Sequence, residues 1–248
     1  MKNFKLTLFI LFISLFLIAC DTDENANDNL EKEEVIEKTE NSFEELNSLH
    51  QEVDMELIST NNDQEETQNI DMILDLVYDE DKNIVNVHTK TMNTANNQTT
   101  ELEFYKKDDK AYIKQGDEWT DFNGEESYST TYEPILDSFL DISEDLEMEE
   151  NEDEYIFKYE GKDTRIYRIM GLPYNIRYTG IKEKDIELDL EYVISKENMF
   201  LDEVTILTLG QIDEQNKIQI NVDVDLENFN EEDEIEMPEA IGDTASNK

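Results

Sequence analysis

Ile186 to Ile194 and Ile218 to Leu226 alternate apolar and polar residues almost without a break, and Leu201 to Leu209 predicts a third strand between them in sequence. In the first of these segments Ile186, Leu188, Leu190, Tyr192 and Ile194 share one face, and Glu187, Asp189 and Glu191 share the other. In the last, Ile218, Ile220, Val222, Val224 and Leu226 alternate with Gln219, Asn221, Asp223 and Asp225. Strands buried on both faces would read as continuous apolar runs. A period of two with one charged side instead predicts an antiparallel sheet with one wet face.

The same period runs through the first half of the chain. Val53, Met55 and Leu57 alternate with acidic residues, and Ile70, Met72, Leu74, Leu76 and Tyr78 form a second series. The polar run Asp79 to Asn83 predicts a turn into a strand at Ile84 to Met92, and Leu102 to Lys106 with Lys110 to Lys114 predict a hairpin. Leu146 to Glu149 and Tyr155 to Glu160 predict another. Helical spacing appears in three places. Val35, Ile36, Thr39, Phe43, Leu46 and Leu49 predict an amphipathic helix, as do Ile135, Leu136, Phe139, Leu140 and Ile142 within Tyr132 to Ile142. Thr164 to Met170, closed by Gly171, predicts a short third. The apolar side of the sheet needs cover, and these helices are the cover available. The expected class is α+β, a large curved antiparallel sheet with helices on its inner side.

The N-terminus follows a different logic. Lys2 and Lys5 precede an apolar run from Leu6 to Ile18, shorter than the roughly 20 residues a membrane-crossing helix needs. This is the pattern of a secretory signal peptide. Leu17-Ile18-Ala19-Cys20 resembles the lipobox of bacterial lipoproteins, and Cys20 is the only cysteine. The resemblance implies cleavage before Cys20, a diacylglycerol on its thiol, and an extracytoplasmic protein held to the cell membrane by that lipid. A chain with one cysteine has no disulfide framework and no cysteine-built metal site. Residues 1–19 are thus expected to be a leader and 20–34 a lipidated cysteine with an acidic tether. A single domain is expected over 35–241, with a tail at 242–248.

Charge narrows the partners. The chain holds 20 basic and 64 acidic residues, a formal net charge of −44. Phosphate backbones would repel it, which excludes nucleic acid. Its body is equally unsuited to lie on an anionic bilayer. The acidic runs read as solvated faces that keep the protein soluble.

Motifs for chemistry are missing. His50 and His88, the only histidines, stand far apart with no His-Glu-x-x-His pattern, and read as surface or packing residues. Asp79-x-Asp81-x-Asn83 opens like a calcium loop, but Ile84 and Lys90 occupy positions that require glycine and glutamate. Neither a phosphate-cradling loop nor a nucleophile elbow is present. The sequence therefore predicts no catalytic residue, no metal site and no cofactor, and reads as non-enzymatic.

The order of elements carries one further resemblance. A helix runs into a strand at Leu46-Asn47-Ser48-Leu49-His50, and Ala111-Tyr112-Ile113-Lys114 is followed by Trp119 in a hairpin. A central helical insertion comes next, and the chain ends with Phe229 and Ile235-Glu236-Met237-Pro238-Glu239-Ala240. This layout resembles the LolA/LppX-like lipoproteins of Gram-positive bacteria. The resemblance implies an unclosed half-barrel whose concave face, lidded by helices, holds a lipid or other apolar small molecule. Combined with the alternation, it implies an apolar cavity bordered by Met72, Leu74, Leu76, Leu188, Leu190, Tyr192, Ile220, Val222 and Val224. Leu136 and Phe139 would reach it from the lid. The competing expectation is a surface interaction or structural module whose helices fill that face, leaving the acidic exterior to meet an unidentified protein partner.

Overall fold

The computed structural model describes residues 30–62, 64–116, 118–124, 129–213, 215–232, 234–238 and 241. The leader, Cys20, most of the tether and the 242–248 tail lie outside the described residues. Eleven strands form one sheet: β1 (Ser48–Asn61), β2 (Gln64–Tyr78), β3 (Ile84–Ala95), β4 (Gln98–Lys107), β5 (Lys110–Gln115), β6 (Glu118–Asp121), β7 (Glu147–Glu150), β8 (Glu154–Gly161), β9 (Ile186–Ser195), β10 (Leu201–Gln211) and β11 (Asn216–Glu227). Three helices interrupt them: α1 (Lys32–Ser42), α2 (Tyr132–Ile142) and α3 (Thr164–Met170).

The strand order is β6-β5-β4-β3-β2-β1-β11-β10-β9-β8-β7, and every pairing is antiparallel. Two meanders therefore run outward from a central seam where β1 meets β11. The sheet ends at β6 on one side and β7 on the other and does not close on itself. This is the unclosed half-barrel of an α+β fold. From Lys32 onward the chain forms one compact unit.

Register explains how one face becomes a core. Phe157, Tyr192, Val204, Val224, Val53, Met72, Thr91 and Leu102 lie directly opposite one another in a row across eight strands, from β8 to β4. Phe157, Tyr192, Val204, Val224 and Val53 are buried, Met72 and Thr91 are half-buried, and Leu102 is 48% exposed. The concave face is thus sealed at one end of the row and open at the other.

The helices set this gradient. Phe139 on α2 meets the rings of Phe157 at 5.0 Å and Tyr192 at 5.3 Å, and Ser138 Oγ lies 3.4 Å from Tyr192 Oη. Pro134 sits in the first turn of α2, where its missing N–H has no helical partner to lose. The Asp163 side chain caps α3 by accepting from the Arg165 and Ile166 amides, which fixes where that helix begins. Behind α3, Tyr178 crosses β10 and bonds Thr208 Oγ1 at 2.6 Å. A Cβ on Gly210 would stand 2.7 Å from Ile181 and 2.9 Å from the Tyr178 ring, so only glycine lets that segment lie so close.

One boundary departs from the sequence expectation. The helical spacing that includes Leu49 predicts a helix to that residue, yet α1 ends at Ser42, a short 3-10 turn covers Phe43–Glu45, and Leu49 is already in β1. Leu49 pairs with Leu76 across the ladder. Tertiary pairing outweighs a marginal helical repeat at that point.

Candidate functional site

At the open end of the sheet, a groove of about 480 Å³ lies on the concave side. Its floor is Met55 from β1, Ile70, Met72 and Leu74 from β2, Thr89 and Thr91 from β3, Leu102 and Phe104 from β4, and Ile113 from β5, with Phe122 just beyond β6. All of these strand positions fall on the inner side by register. Two loops form the wall: Ser129 to Thr131, entering α2, and Pro173 to Asn175, leaving α3.

Both loops are pinned. Gln51, fully buried on β1, donates from Nε2 to the Thr130 carbonyl at 2.6 Å, and Thr130 Oγ1 lies 3.8 Å from Met72 Sδ. Asn175 takes a left-handed conformation with φ +53°, and the Ile176 amide bonds the Gly171 carbonyl at 3.0 Å. Tyr174 is buried in this wall, its hydroxyl has no hydrogen-bond partner among the described residues, and burial holds its pKa well above the usual tyrosine range. A cavity of this size with predominantly apolar walls and a few polar groups falls in the range typical of small-ligand sites.

The residues expected from sequence to border a cavity divide between two environments. Met72 and Leu74 line the groove. Leu76 is buried one pair further along β2, opposite Val87. Leu136, Phe139, Leu190, Tyr192, Ile220, Val222 and Val224 are buried and are not among the residues that line the groove. Leu188 is equally buried and stands apart from the groove. Here α2 is core filling and not a lid. The floor residues outside the sequence expectation are Met55, Ile70, Thr89, Thr91, Leu102, Phe104, Ile113 and Phe122. Their available signal was the continuation of the same inner row beyond Met72.

Other depressions have a different character. A crevice of about 710 Å³ between α1 and α2 is lined by Glu33, Glu37, Glu40, Asp141, Glu144 and Asp145, among others, and offers an apolar ligand little. Among the described residues no group of three or more His, Cys, Asp or Glu is placed to hold a metal ion.

The convex side brings the two histidines together. His50 Nδ1 lies 2.6 Å from Asp75 Oδ1, His88 Nδ1 lies 3.7 Å from Asp75 Oδ2, and His88 Nε2 lies 2.9 Å from Glu103 Oε1. Lys114 Nζ completes the chain at 2.6 Å from Glu103 Oε2, so one ladder of charge crosses β1 to β5. Burial alone would lower the pKa of His50, but its bonds to Asp75 and Glu52 more than offset that and raise it. For His88 the Asp75 bond is the largest influence and the net shift is again upward. Burial would raise Asp75 and Glu103, and their cationic neighbours lower both instead.

The signs fix a pH window. Raised histidines stabilise the fold fully below their ordinary value of 6.5, and that share is lost as pH rises through the folded values. Lowered carboxyls stabilise above their ordinary values, 3.8 for Asp75 and 4.5 for Glu103, and their share is lost as pH falls through the folded values. The ladder is therefore worth most between pH 4.5 and 6.5. His88→Gln is expected to lower Tm by about 2–4 °C near pH 6, corresponding to about 1 kcal/mol, and by much less near pH 9. Melting curves at both pH values check this, and an equal loss at both would show that charge is not involved.

Residues 31–246 match the family described as "Family of unknown function (DUF6612)". The chain belongs to that family. No curated protein matches the DUF6612 chain in sequence. Among solved structures it is similar to LprF from Mycobacterium bovis, at 12% identity and TM-score 0.40, covering 84% of this chain and 96% of that one. It is also similar to a LolA superfamily protein from Nitrosomonas europaea, at 10% identity and TM-score 0.26, covering 82% and 96% of the two chains. A DUF1329 family protein from Desulfovibrio piger shows 8% identity and TM-score 0.28 over 86% and 98%. Among the described residues of this DUF6612 member, no helix is long and apolar enough to cross a membrane.

Proposed function

We propose that this protein is an exported lipoprotein, anchored through Cys20, that holds an acyl chain or similar apolar ligand in the groove over β1 to β5. The observation that carries the reading is the groove itself: a floor of Met, Leu, Ile and Phe side chains left uncovered beside a half of the same sheet that is fully sealed. Each methylene moved from water into such a site gains about 0.8 kcal/mol, so a chain of several carbons offsets much of the cost of immobilising a ligand. Met55 and Met72 suit a flexible ligand, because unbranched thioether side chains repack around differing shapes. The tether and lipid on Cys20 would hold this groove near the membrane, where acyl chains are abundant.

The sealed half favours a second reading, in which the core is simply closed and the acidic exterior does the work. One experiment separates them. The full chain, recovered from bacterial membranes, is expected to lack residues 1–19 and to carry a diacylglycerol adduct on Cys20 by intact mass. A chain without residues 1–20 is expected to yield about one non-covalent lipid per molecule on solvent extraction. Met72→Trp, which fills the groove, should cut that recovery about tenfold while leaving the circular dichroism unchanged. An empty extract, with no rise in Tm on adding lipids, would give the surface-module reading its place.

A further inference from the structure

We propose that the groove selects uncharged lipids of the acylglycerol class and rejects fatty-acid carboxylates and phosphate-bearing lipids. This rests on the reading of the groove as a lipid site and names the chemistry of its ligand.

The first observation is the composition of the lining. Among the described residues, sixteen surround the groove and none of these is charged, in a chain where 34% of residues are Asp, Glu, Lys or Arg. Its polar side chains are the hydroxyls of Thr89, Thr91, Ser129, Thr130, Thr131 and Tyr174 and the amide of Asn175. These groups can hydrogen-bond ester carbonyls and glycerol hydroxyls, but they give an anion no partner of opposite charge. A carboxylate or phosphate entering the groove would be desolvated without compensation.

The second observation is what stands behind the floor. On β1, β2 and β4 the side chains alternate across one sheet layer, so Asp54, Asp71, Glu101 and Glu103 point to the convex side beside the floor residues Met55, Ile70, Met72, Leu102 and Phe104. The nearest cations on that side are engaged there: Lys90 with Glu101 at 3.5 Å, and Lys114 with Glu103 at 2.6 Å. Burial raises the Asp54 pKa, and so does repulsion from Asp71, Glu52, Asp223 and Asp225, which reports a negative potential in the sheet behind the groove. The field and the lack of a cation among the described lining residues act in the same direction against an anionic ligand.

The test uses two probes with one acyl chain, 1-lauroylglycerol and laurate, titrated into the chain without residues 1–20. At about pH 8 and about 0.15 M salt, where screening acts beyond roughly 8 Å, lauroylglycerol should bind at least about tenfold more tightly. Lowering the pH toward about 5 should narrow the gap as laurate takes up its proton. Thr91→Lys places a cation in the groove and should shift the ratio of laurate to lauroylglycerol affinity at least about tenfold toward laurate. Equal affinities at pH 8, or a Thr91→Lys chain that gains nothing for laurate, would overturn the charge selection and leave the lipid site standing. If neither probe binds, the lipid site itself falls and this inference falls with it.

Discussion

Phe139→Ala is expected to remove about 3–5 kcal/mol of stability, whereas Met72→Ala on the same face of the same sheet should cost about 1 kcal/mol. Phe139 is fully buried, with rings of Phe157 and Tyr192 at 5.0 and 5.3 Å, so its removal leaves a closed void that neighbours cannot fill. Met72 already borders an open groove, and truncating it only widens a space that water can reach. A domain with a typical stability of about 5–15 kcal/mol would survive the second change easily and the first only narrowly. Urea denaturation followed by far-UV circular dichroism measures both. Equal costs would mean that the groove is as tightly closed in solution as the α2 side, and the lipid reading would lose its basis.

That contrast also shows where sequence reading stops. Alternation told which face of each strand is apolar, and the expected bounds of α2 and α3, Tyr132–Ile142 and Thr164–Met170, are those observed. Strong periodicity and local capping at Asp163 are properties of neighbouring residues, so they are legible in one dimension. Which half of the concave face the helices cover is not. Val222 and Val224 stand two residues apart on one strand face just as Met72 and Leu74 do, yet the first pair is sealed and the second lines the groove. The difference comes from where the helices and loops pack on the sheet, as Phe139 of α2 does against Phe157 and Tyr192, a long-range placement that no local pattern encodes. The histidines make the same point. His50 and His88 look unrelated in sequence, and they meet at Asp75 only because the registers of β1 with β2 and β2 with β3 set those three residues side by side. The terminal Ile235 to Ala240 segment carries part of the family resemblance. Its described part has a physical task on the convex side of the sheet.

Ile235→Ala is expected to cost about 2–4 kcal/mol and to expose the only tryptophan before the sheet melts. After β11 the chain turns back, with Asn230 Oδ1 accepting from the Asn47 amide and the Glu232 amide bonding Ser48 Oγ at 3.1 Å. It then lays Ile235 and Ile241 against Val77, Tyr105 and Trp119, a small apolar cluster on the convex face and separate from the main core. The Ile235 carbonyl accepts from Asn86 Nδ2 at 3.2 Å and Tyr105 Oη at 3.3 Å, so the strap is held by backbone as well as side chain. Trp119 is 5% exposed beneath this arrangement, although β6 is an edge strand of four residues that could not bury it alone. In the wild type, tryptophan emission and circular dichroism should change together with urea, because the strap and the sheet support one another. In Ile235→Ala the emission should shift to the red at lower urea than the loss of strand signal, as the strap opens first. Coincident transitions with an unchanged midpoint would show that Ile235 does not hold the strap, and that β4 to β6 keep Trp119 covered without it.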